Sequence, residues 1–262
     1  MLEAKSLSKN YRIPAEQGKP GLVRAVADVS FSLQECECCA LVGESGSGKS
    51  TLSQLLMGLI PPSAGDVLLD GQSVFSLRGR AAEARFLKLQ MVLQDGKSAL
   101  DPRFTVYDSI AEPIRNLLRV SRERERKTVE ELMHQMELSR SLLGRHAQEL
   151  SGGQQKRVCI ARAISVSPKF MIFDEAVSGL DVIVRKTILD LLKRLRREQG
   201  FAYLFITHDI DVALYIADRI MVMKNGKIIE NVRYSGDPSC FSHPYSRLLL
   251  KSPGPGDPSA QA

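Results

Sequence analysis

The sequence predicts an α/β protein in which a parallel sheet is interrupted by a helical insertion. Apolar segments typical of buried strands occur at 39–43, 89–94 and 169–175. Between the last two, from about 105 to 165, the patterns are mostly helical. Because strands that alternate with helices form parallel sheets, we interpret the block at roughly 95–160 as an insertion into such a sheet.

Composition indicates a folded globular protein. Of the 262 residues, 44% are hydrophobic and 25% are charged, which is ordinary for such proteins. The net charge of +6 arises from 36 basic and 30 acidic residues that are interspersed, so we expect a mixed solvated surface and no nucleic-acid partner. The N-terminus does not resemble a signal peptide, and no apolar run reaches the roughly 18 residues that span a bilayer. Another chain would therefore have to hold this protein at a membrane.

The remaining elements are predicted from periodicity and from capping and turn residues. Helical patterns occupy 50–60, 121–138 and 182–198, and the second of them begins with a serine cap, Ser121. Strand patterns occupy 24–33, 65–71, 203–209 and 219–230, the last with Asn225-Gly226 at a hairpin turn. The tail from about 251 is rich in Pro, Gly and Ser and is predicted to be disordered.

A phosphate-binding pattern, G-x-x-x-x-G-K-S, stands between the strand at 39–43 and the helix at 50–60. Its glycines let backbone N–H groups close around phosphates, and the helix N-terminus adds a partial positive charge. The lysine neutralises the outer phosphates, and the serine hydroxyl can bind Mg²⁺. The candidate binding residues are Gly43, Ser45, Gly46, Gly48, Lys49, Ser50 and Thr51.

Polar residues also follow the other apolar strand segments. Asp174 ends one of them and is predicted to hold Mg²⁺, while Glu175 can polarise the attacking water as a general base. Gln94 can reach Mg²⁺ or that water, and His208 can orient the water or donate to the terminal phosphate. The candidate catalytic residues are thus Glu175, His208 and Gln94, and the candidate metal ligands are Ser50, Gln94 and Asp174.

A second possible phosphate cradle begins a later helix. Ser151, Gly152, Gly153 and Gln154 offer a hydroxyl and N–H groups that suit a terminal phosphate. The chain has one phosphate loop of the first kind, so this cradle has no phosphate of its own to hold. We infer that it serves another chain, with two ATP molecules sandwiched head to tail between two subunits.

These motifs occur in the order typical of the ATP-binding-cassette (ABC) ATPases, which the chain resembles over about residues 1–250. The resemblance is carried by GESGSGKS, Gln94, LSGGQ, FMIFDE, SGLD and THD. It implies ATP and Mg²⁺ as cofactors, that 151–154 bind the partner's ATP, and that Ser178 to Asp181 couple the two sites. It also places Tyr11 where this family often stacks an aromatic ring on adenine. A tyrosine at a strand edge is the alternative.

The same resemblance implies a RecA-like P-loop NTPase core with a parallel sheet, an N-terminal antiparallel β part and an inserted α-helical subdomain. The core would comprise residues 1–94 and 161–235. The helical subdomain with the signature motif would comprise 95–160. Residues 236–262 would form a C-terminal extension that is partly disordered.

One segment narrows the resemblance to ATPases of peptide and nickel importers. His243-Pro244-Tyr245 with SRLLL resembles their H-P-Y-T-x-x-L-L segment. Ala176 follows the predicted catalytic glutamate where peptide-type members usually have proline, and QDGKSALDPR also looks closer to nickel-importer ATPases. The implied cargo is nickel or a related transition metal, free or chelated. A dipeptide or oligopeptide importer is the alternative, and an exporter or a soluble ABC ATPase outside transport is more remote.

The importer resemblance also implies partners and location. A second ABC ATPase subunit, expected to be a non-identical paralogue, would pair head to tail with this chain. Two transmembrane permease subunits would bind the pair, and an extracytoplasmic substrate-binding protein would be an indirect partner. The chain is therefore expected at the cytoplasmic face of the inner membrane.

The five cysteines fit a chain with free thiols. Cys36, Cys38 and Cys39 lie together, which leaves a metal site as one interpretation. Cys38 and Cys39 run into an apolar strand segment, so buried thiols are the favoured interpretation.

Overall fold

The computed structural model describes residues 1–16, 19–94 and 99–251, with 13–16, 19 and 20 described by backbone alone. The chain divides into two compact units. The first unit contains Met1–Arg78 and the chain from Ala202 onward, and the second contains Gly79–Phe201. The division into a core and an insertion at 95–160 stays a prediction. The tail that was predicted to be disordered begins near 251, and its residues from 252 onward lie outside the described part of the chain.

The strands are β1 (Leu2–Glu16), β2 (Lys19–Leu33), β3 (Cys38–Val42), β4 (Ala64–Leu69), β5 (Gln72–Ser73), β6 (Leu89–Val92), β7 (Phe170–Asp174), β8 (Ala202–Thr207), β9 (Arg219–Lys224) and β10 (Lys227–Arg233). The helices are α1 (Lys49–Leu56), α2 (Gly79–Lys88), α3 (Val106–Pro113), α4 (Arg122–Gln135), α5 (Gly152–Ile164), α6 (Val182–Gln199), α7 (Ile210–Ile216) and α8 (Pro244–Lys251). None of these helices is long and apolar enough to cross a membrane, within the part of the chain that the structure describes.

The first unit contains parallel and antiparallel pairing. β3 pairs in parallel with β8 on one side and with β9 on the other, and β10 pairs antiparallel with β9. Every residue of β3 and β8 is buried, which explains their continuous apolar sequences. A separate antiparallel sheet has the strand order β2-β1-β4-β5. The predicted hairpin at Asn225-Gly226 is confirmed, and both residues have the positive φ that such a turn requires.

The second unit combines a parallel strand pair with most of the helices. β6 and β7 pair from Leu89 with Phe170 to Val92 with Phe173. The helix α4 begins at Ser121, whose side chain accepts a hydrogen bond from the Arg124 N–H, so the predicted serine cap is confirmed. The parallel strands, the N-terminal antiparallel sheet and this helical block confirm the predicted fold class.

Two elements differ from their predicted extent. The helix α1 ends at Leu56 rather than near 60, because Gly58 has φ +65 and Pro61-Pro62 follow. The helix α2 was not predicted, because it buries no residue and so shows no apolar face in the sequence.

An ion pair joins the starts of β3 and β9. The Arg219 guanidinium donates to both carboxylate oxygens of Glu37, at 2.6 and 3.1 Å, and also to the Ser32 carbonyl at 2.5 Å. The side chains of Arg219 and Glu37 are 13% and 18% exposed, so solvent screens the pair weakly. Burial raises the pKa of Glu37, but the hydrogen bonds from Arg219 and the Gln34 N–H outweigh burial and lower it.

We predict that Arg219→Ala lowers the free energy of unfolding by roughly 2–3 kcal/mol, because it leaves the Glu37 carboxylate half-buried without its partner. The measurement is urea denaturation at pH 7. The matched control is Arg126→Ala, which removes an exposed pair with Glu130 and should cost less than about 0.5 kcal/mol.

The pH dependence tests the same pair. Because the pKa of Glu37 is lowered in the folded state, its contribution is complete above its unfolded pKa and is lost as pH falls through the folded value. The difference between wild type and Arg219→Ala should therefore shrink in acid. Equal stability of the Arg219 and Arg126 variants at pH 7 would contradict this account.

Candidate functional site

The phosphate loop between β3 and α1 is packed against neighbouring backbone. A Cβ atom at Gly43 would lie 2.2 Å from the Met223 carbonyl oxygen. One at Gly48 would lie 2.1 Å from the Ala25 carbonyl oxygen, and Gly48 also has φ +108. Both glycines of the predicted pattern are therefore required by the close approach of neighbouring backbone.

The hairpin turn between β9 and β10 supports this loop. The Gly226 N–H donates to the Ser47 carbonyl at 2.9 Å, and the Ala27 N–H donates to the Gly226 carbonyl at 2.8 Å. The turn thus connects β2 to the loop. It is a second structural role for the Asn225-Gly226 pair, which the sequence indicated only as a hairpin signal.

Lys49 lies inside the loop. Its side chain is buried, and its ammonium donates to the carbonyls of Gly43 and Glu44 at 2.7 and 2.9 Å. A cation is therefore held beside the backbone N–H groups of the loop, where phosphate charge can be neutralised. The other candidate residues are more accessible. Ser45, Gly46 and Ser50 are exposed, and Thr51 in α1 is half-buried.

His208 and the phosphate loop leave neighbouring parallel strands at the same level. Val42 of β3 is in register with Thr207 of β8, so Gly43 and His208 are the next residues on each strand. His208 is exposed. The following Asp209 is buried and caps α7 by accepting from the N–H groups of the next turn. The structure thus brings His208 to the strand ends that carry the loop.

Tyr11 also lies on this side of the first unit. It pairs with Val23, which is two residues along β2 from Ala25, the residue whose carbonyl meets Gly48. Tyr11 is 38% exposed, and the Lys9 ammonium lies 5.4 Å from its ring centroid. Tyr11 is thus a partly exposed aromatic ring on the strand pair that meets the loop.

In the second unit, Gln94 and Asp174 follow adjacent parallel strands. Val92 is in register with Phe173, so Asp174 ends β7 beside the start of the segment that contains Gln94. Asp174 is buried and Gln94 is exposed. A carboxylate and an amide oxygen are hard oxygen donors, which is the ligand chemistry that Mg²⁺ prefers.

Glu175 occupies a strained backbone position. Its φ is +51, in the left-handed region, which costs a non-glycine residue on the order of 1 kcal/mol. The turn is held by Ser178, whose N–H and hydroxyl both donate to the Glu175 carbonyl, at 3.1 and 2.8 Å. This turn fixes the backbone of Glu175 directly after the end of β7.

The second cradle is a helix cap in the single chain. The Ser151 hydroxyl accepts from the Gln154 N–H at 3.3 Å, and the Gln154 side chain accepts from the Ser151 N–H at 3.0 Å. This reciprocal pair is a capping box that starts α5. A Cβ at Gly153 would lie 2.9 Å from Val184 Cγ1, whereas one at Gly152 would have no neighbour nearer than 3.9 Å.

Asp181 begins the helix that packs on this cap. Its carboxylate accepts from the Val184 N–H at 2.9 Å and is the N-cap of α6. Asp181 thus fixes the turn of Val184, the residue that Gly153 approaches. The structure therefore brings the signature segment, 151–154, and Asp181 together within the second unit.

A buried lysine in the signature helix was missed by the sequence analysis. The Lys156 ammonium donates to the Leu93 carbonyl at 3.1 Å and also to the Gln94 carbonyl. It connects α5 to the segment after β6. Lysine is normally exposed, so its residue type gave no signal. Lys156 lies four and seven residues before the buried Ile160 and Ala163, which places it on the apolar face of α5. This spacing is the sequence signal that indicates its burial.

The cysteines are free thiols among the described residues, and Cys38 and Cys39 are buried in β3. Burial raises the pKa of Cys39 to about 12. Cys36 is exposed. No cluster of His, Cys, Asp or Glu that could hold a metal ion occurs in the described ranges.

Comparison with known proteins agrees with these motifs. A family model described as "ABC transporter" matches residues 26–178, which is more than half of the chain. The chain belongs to the ABC transporter family. It binds ATP and is an ATPase coupled to transmembrane transport.

The curated relatives carry peptide and nickel names. A probable peptide ABC transporter ATP-binding protein, y4tS of Sinorhizobium fredii, is 41% identical over 99% of this chain and 74% of its own length. The nickel import ATP-binding protein NikE of Escherichia coli O157:H7 is 40% identical over 98% of this chain and 96% of its own length. These relatives confirm the resemblance on which the sequence analysis relied.

Solved structures of ABC cassettes share the fold. The dimeric post-hydrolysis structure of MJ0796 bound to ADP and Pi has a TM-score of 0.80 and 30% identity, covering 90% of this chain and all of that one. CbiO1 from Clostridium perfringens, part of the cbiONQ transporter complex, has a TM-score of 0.76 and 29% identity, covering 88% of each chain.

We predict that Gly153→Ala and Val184→Ala are coupled. The added Cβ of the first variant overlaps Val184 Cγ1, so Gly153→Ala should cost about 1–2 kcal/mol more in the wild-type chain than in the Val184→Ala background. Urea denaturation of the two single variants and the double variant measures this coupling. Gly152→Ala is the matched control and should show no coupling to Val184, because its Cβ has space.

The same variants separate packing from ligand contact. If Gly153 also contacts a partner's ATP, the double variant regains stability while its ATPase rate stays low. A double variant that regains full ATPase activity would show that Gly153 serves packing alone.

Proposed function

We propose that this ABC ATPase energises a bacterial importer of nickel or a related transition metal, free or chelated. Identity of about 40% over nearly the whole chain to NikE supports this cargo. Because y4tS is equally similar in sequence, a dipeptide or oligopeptide is the second candidate cargo.

We assign the steps of ATP hydrolysis to the candidate residues of the phosphate loop and of the strand ends. In the first unit, the N–H groups of the loop and the Lys49 ammonium bind the phosphates, and Tyr11 stacks on adenine. The hydroxyl of Ser50 and the oxygens of Gln94 and Asp174 are assigned to Mg²⁺, which would neutralise phosphate charge when bound. Glu175 accepts the proton of the attacking water, and His208 orients that water.

Pairing with a second cassette completes the proposal. The N–H groups at the start of α5 and the Ser151 hydroxyl would bind ATP held by the partner. The capping box supports this role, because it already fixes the serine and glutamine in one chain. The dimeric structure of MJ0796 bound to ADP and Pi supports pairing of this kind. The expected partner is a non-identical paralogue.

A groove in the second unit is the proposed docking site for a cytoplasmic helix of a permease. It encloses about 330 Å³ and is lined by residues that include Gln90, Leu93, Glu112, Asn116, Leu117 and Arg162. Leu93 is 46% exposed at this groove, while Glu112 and Arg162 form an ion pair of 2.6 Å. An apolar surface with a charged rim suits an amphipathic helix. Docking there would hold this chain at the cytoplasmic face of the membrane, with a substrate-binding protein as an indirect partner.

The groove adjoins the segment that Lys156 holds. Leu93 lines the groove, and its carbonyl accepts from the Lys156 ammonium of the signature helix. A helix that displaces Leu93 would therefore act on both Gln94 and α5. This contact supports a path by which a permease affects the site of hydrolysis.

We predict that Glu175→Gln lowers the ATPase rate by at least about 100-fold while ATP still binds, because the amide cannot accept the proton of water. Size-exclusion chromatography with ATP should then show a persistent dimer with the partner cassette. Glu198→Gln is the control, because Glu198 is exposed at the end of α6 and should leave the rate unchanged. A wild-type rate for Glu175→Gln would remove Glu175 from the proposed role.

The cargo is tested by uptake in cells that lack this gene, with labelled nickel and a labelled dipeptide measured side by side. We expect loss of nickel uptake alone, restored by the wild-type gene and not by Glu175→Gln. Loss of dipeptide uptake alone would overturn the nickel assignment and leave the ATPase intact. Normal uptake of both, with the chain absent from the membrane fraction, would overturn the importer proposal.

A further inference from the structure

The C-terminal segment, residues 241–251, lies beyond the part of the chain matched by the family model, which ends at 178. It nevertheless packs within the first unit beside the phosphate loop. Tyr245 of this segment is buried, and its hydroxyl accepts a hydrogen bond from the Glu44 N–H at 3.4 Å. The residue thus contacts the loop directly, 201 positions away along the chain.

The ring of Tyr245 is fixed from a second direction. The Lys224 ammonium lies 4.1 Å from the ring centroid, which is a cation–π contact. Lys224 ends β9, next to Met223, whose carbonyl meets Gly43. Burial raises the pKa of the Tyr245 phenol and outweighs the hydrogen bond from the Glu44 N–H, which lowers it, while the Glu44 carboxylate raises it further.

Glu230 anchors the start of the segment. One of its carboxylate oxygens accepts from the Ser242 N–H at 2.6 Å, the Ser242 hydroxyl at 2.9 Å and the His243 N–H at 3.0 Å. Burial raises the pKa of Glu230, but the neighbouring Ser246 and the bonds from His243 and Ser242 outweigh burial and lower it. These bonds orient the first turn of α8 from the edge strand β10.

The His-Pro-Tyr motif has a local explanation in this geometry. His243 Nδ1 accepts from the Tyr245 N–H at 3.1 Å, which satisfies an N–H group at the start of α8. Pro244 is the first residue of that helix, where the missing N–H costs nothing. The histidine and the proline together aim the tyrosine at the loop.

The tip of the phosphate loop is less closely packed than its two ends at Gly43 and Gly48. Gly46 has φ +79, and a Cβ added there would meet no atom within 4 Å, so no neighbouring element packs against that side of the loop. A glycine-rich loop that must order on binding loses affinity through conformational entropy. A contact at Glu44, where the loop begins, reduces that loss.

We propose that Tyr245 is a positioning residue for ATP binding, which orders the Glu44 backbone so that the N–H groups that follow are prearranged for the phosphates. The role rests on ATP binding at the Gly43–Ser50 loop. It is independent of which cargo the importer carries. It gives the His-Pro-Tyr segment a part in nucleotide affinity.

The test is Tyr245→Phe in the full-length chain, which removes only the hydroxyl. We expect the Kd for ATP, measured by titration calorimetry, to rise about threefold to fivefold, as the loss of one neutral hydrogen bond would give. The melting temperature should stay within about 2 °C. With its partner cassette present, kcat should change by less than about twofold while KM rises, since the tyrosine does not touch the reacting atoms.

Tyr234→Phe is the matched control. Tyr234 packs near Phe241 of the same segment, with ring centroids 6.5 Å apart, and should leave the Kd unchanged. Glu230→Gln should raise the Kd in the same direction as Tyr245→Phe, because it weakens the anchor of the segment. Wild-type ATP affinity for Tyr245→Phe, or equal shifts for the two tyrosine variants, would overturn the proposal.

Lys49→Ala separates this proposal from the site on which it rests. If Lys49→Ala weakens ATP binding and Tyr245→Phe does not, the phosphate site stands and the role of Tyr245 is wrong. If Lys49→Ala leaves ATP binding intact, the site assignment itself fails, and the role of Tyr245 fails with it.

Discussion

The close approach of backbone to backbone at the phosphate loop is the constraint on which the first unit depends. The carbonyl oxygens of Met223 and Ala25 occupy the space in which Gly43 and Gly48 would carry side chains. β2, β9 and the hairpin turn at Gly226 therefore all meet the loop through main-chain atoms. The shape of the loop is therefore set by these neighbours as much as by its own glycines.

The second unit arranges its proposed functional residues by helix capping. Ser151 and Gln154 cap each other's backbone, and Asp181 caps α6. These residues therefore have structural reasons for their identity before any ATP is considered. A residue already fixed by a cap loses little freedom when it binds a ligand, which favours the second use. Helix capping and phosphate binding favour similar residue types here. Capping needs a polar side chain that binds backbone N–H groups, and phosphate binding needs polar groups at the same helix N-terminus.

Polar contacts over long sequence distances link the motifs within each unit. Lys156 joins the signature helix to the carbonyls of Leu93 and Gln94, and Tyr245 joins the C-terminal helix to Glu44. Both are buried polar groups that bond to backbone, as burial of such groups requires. Motifs that are separate in the sequence thus become mechanically connected. This connection gives the His-Pro-Tyr segment, known in the sequence only as a mark of resemblance, a physical contact with the phosphate loop.

The sequence by itself determined the features that depend on neighbouring residues. The apolar runs of β3, β7 and β8, the Asn225-Gly226 turn, the Ser121 cap and the phosphate-loop pattern are all local, because each follows from residue type and spacing over a few positions. The helix α2 was missed because it buries no face. Only the tertiary structure decided that Met223 and Ala25 line the loop, that Lys156 is buried, and that Tyr245 reaches Glu44. These contacts join residues tens to hundreds of positions apart, and a local pattern carries no record of which distant backbone groups will meet.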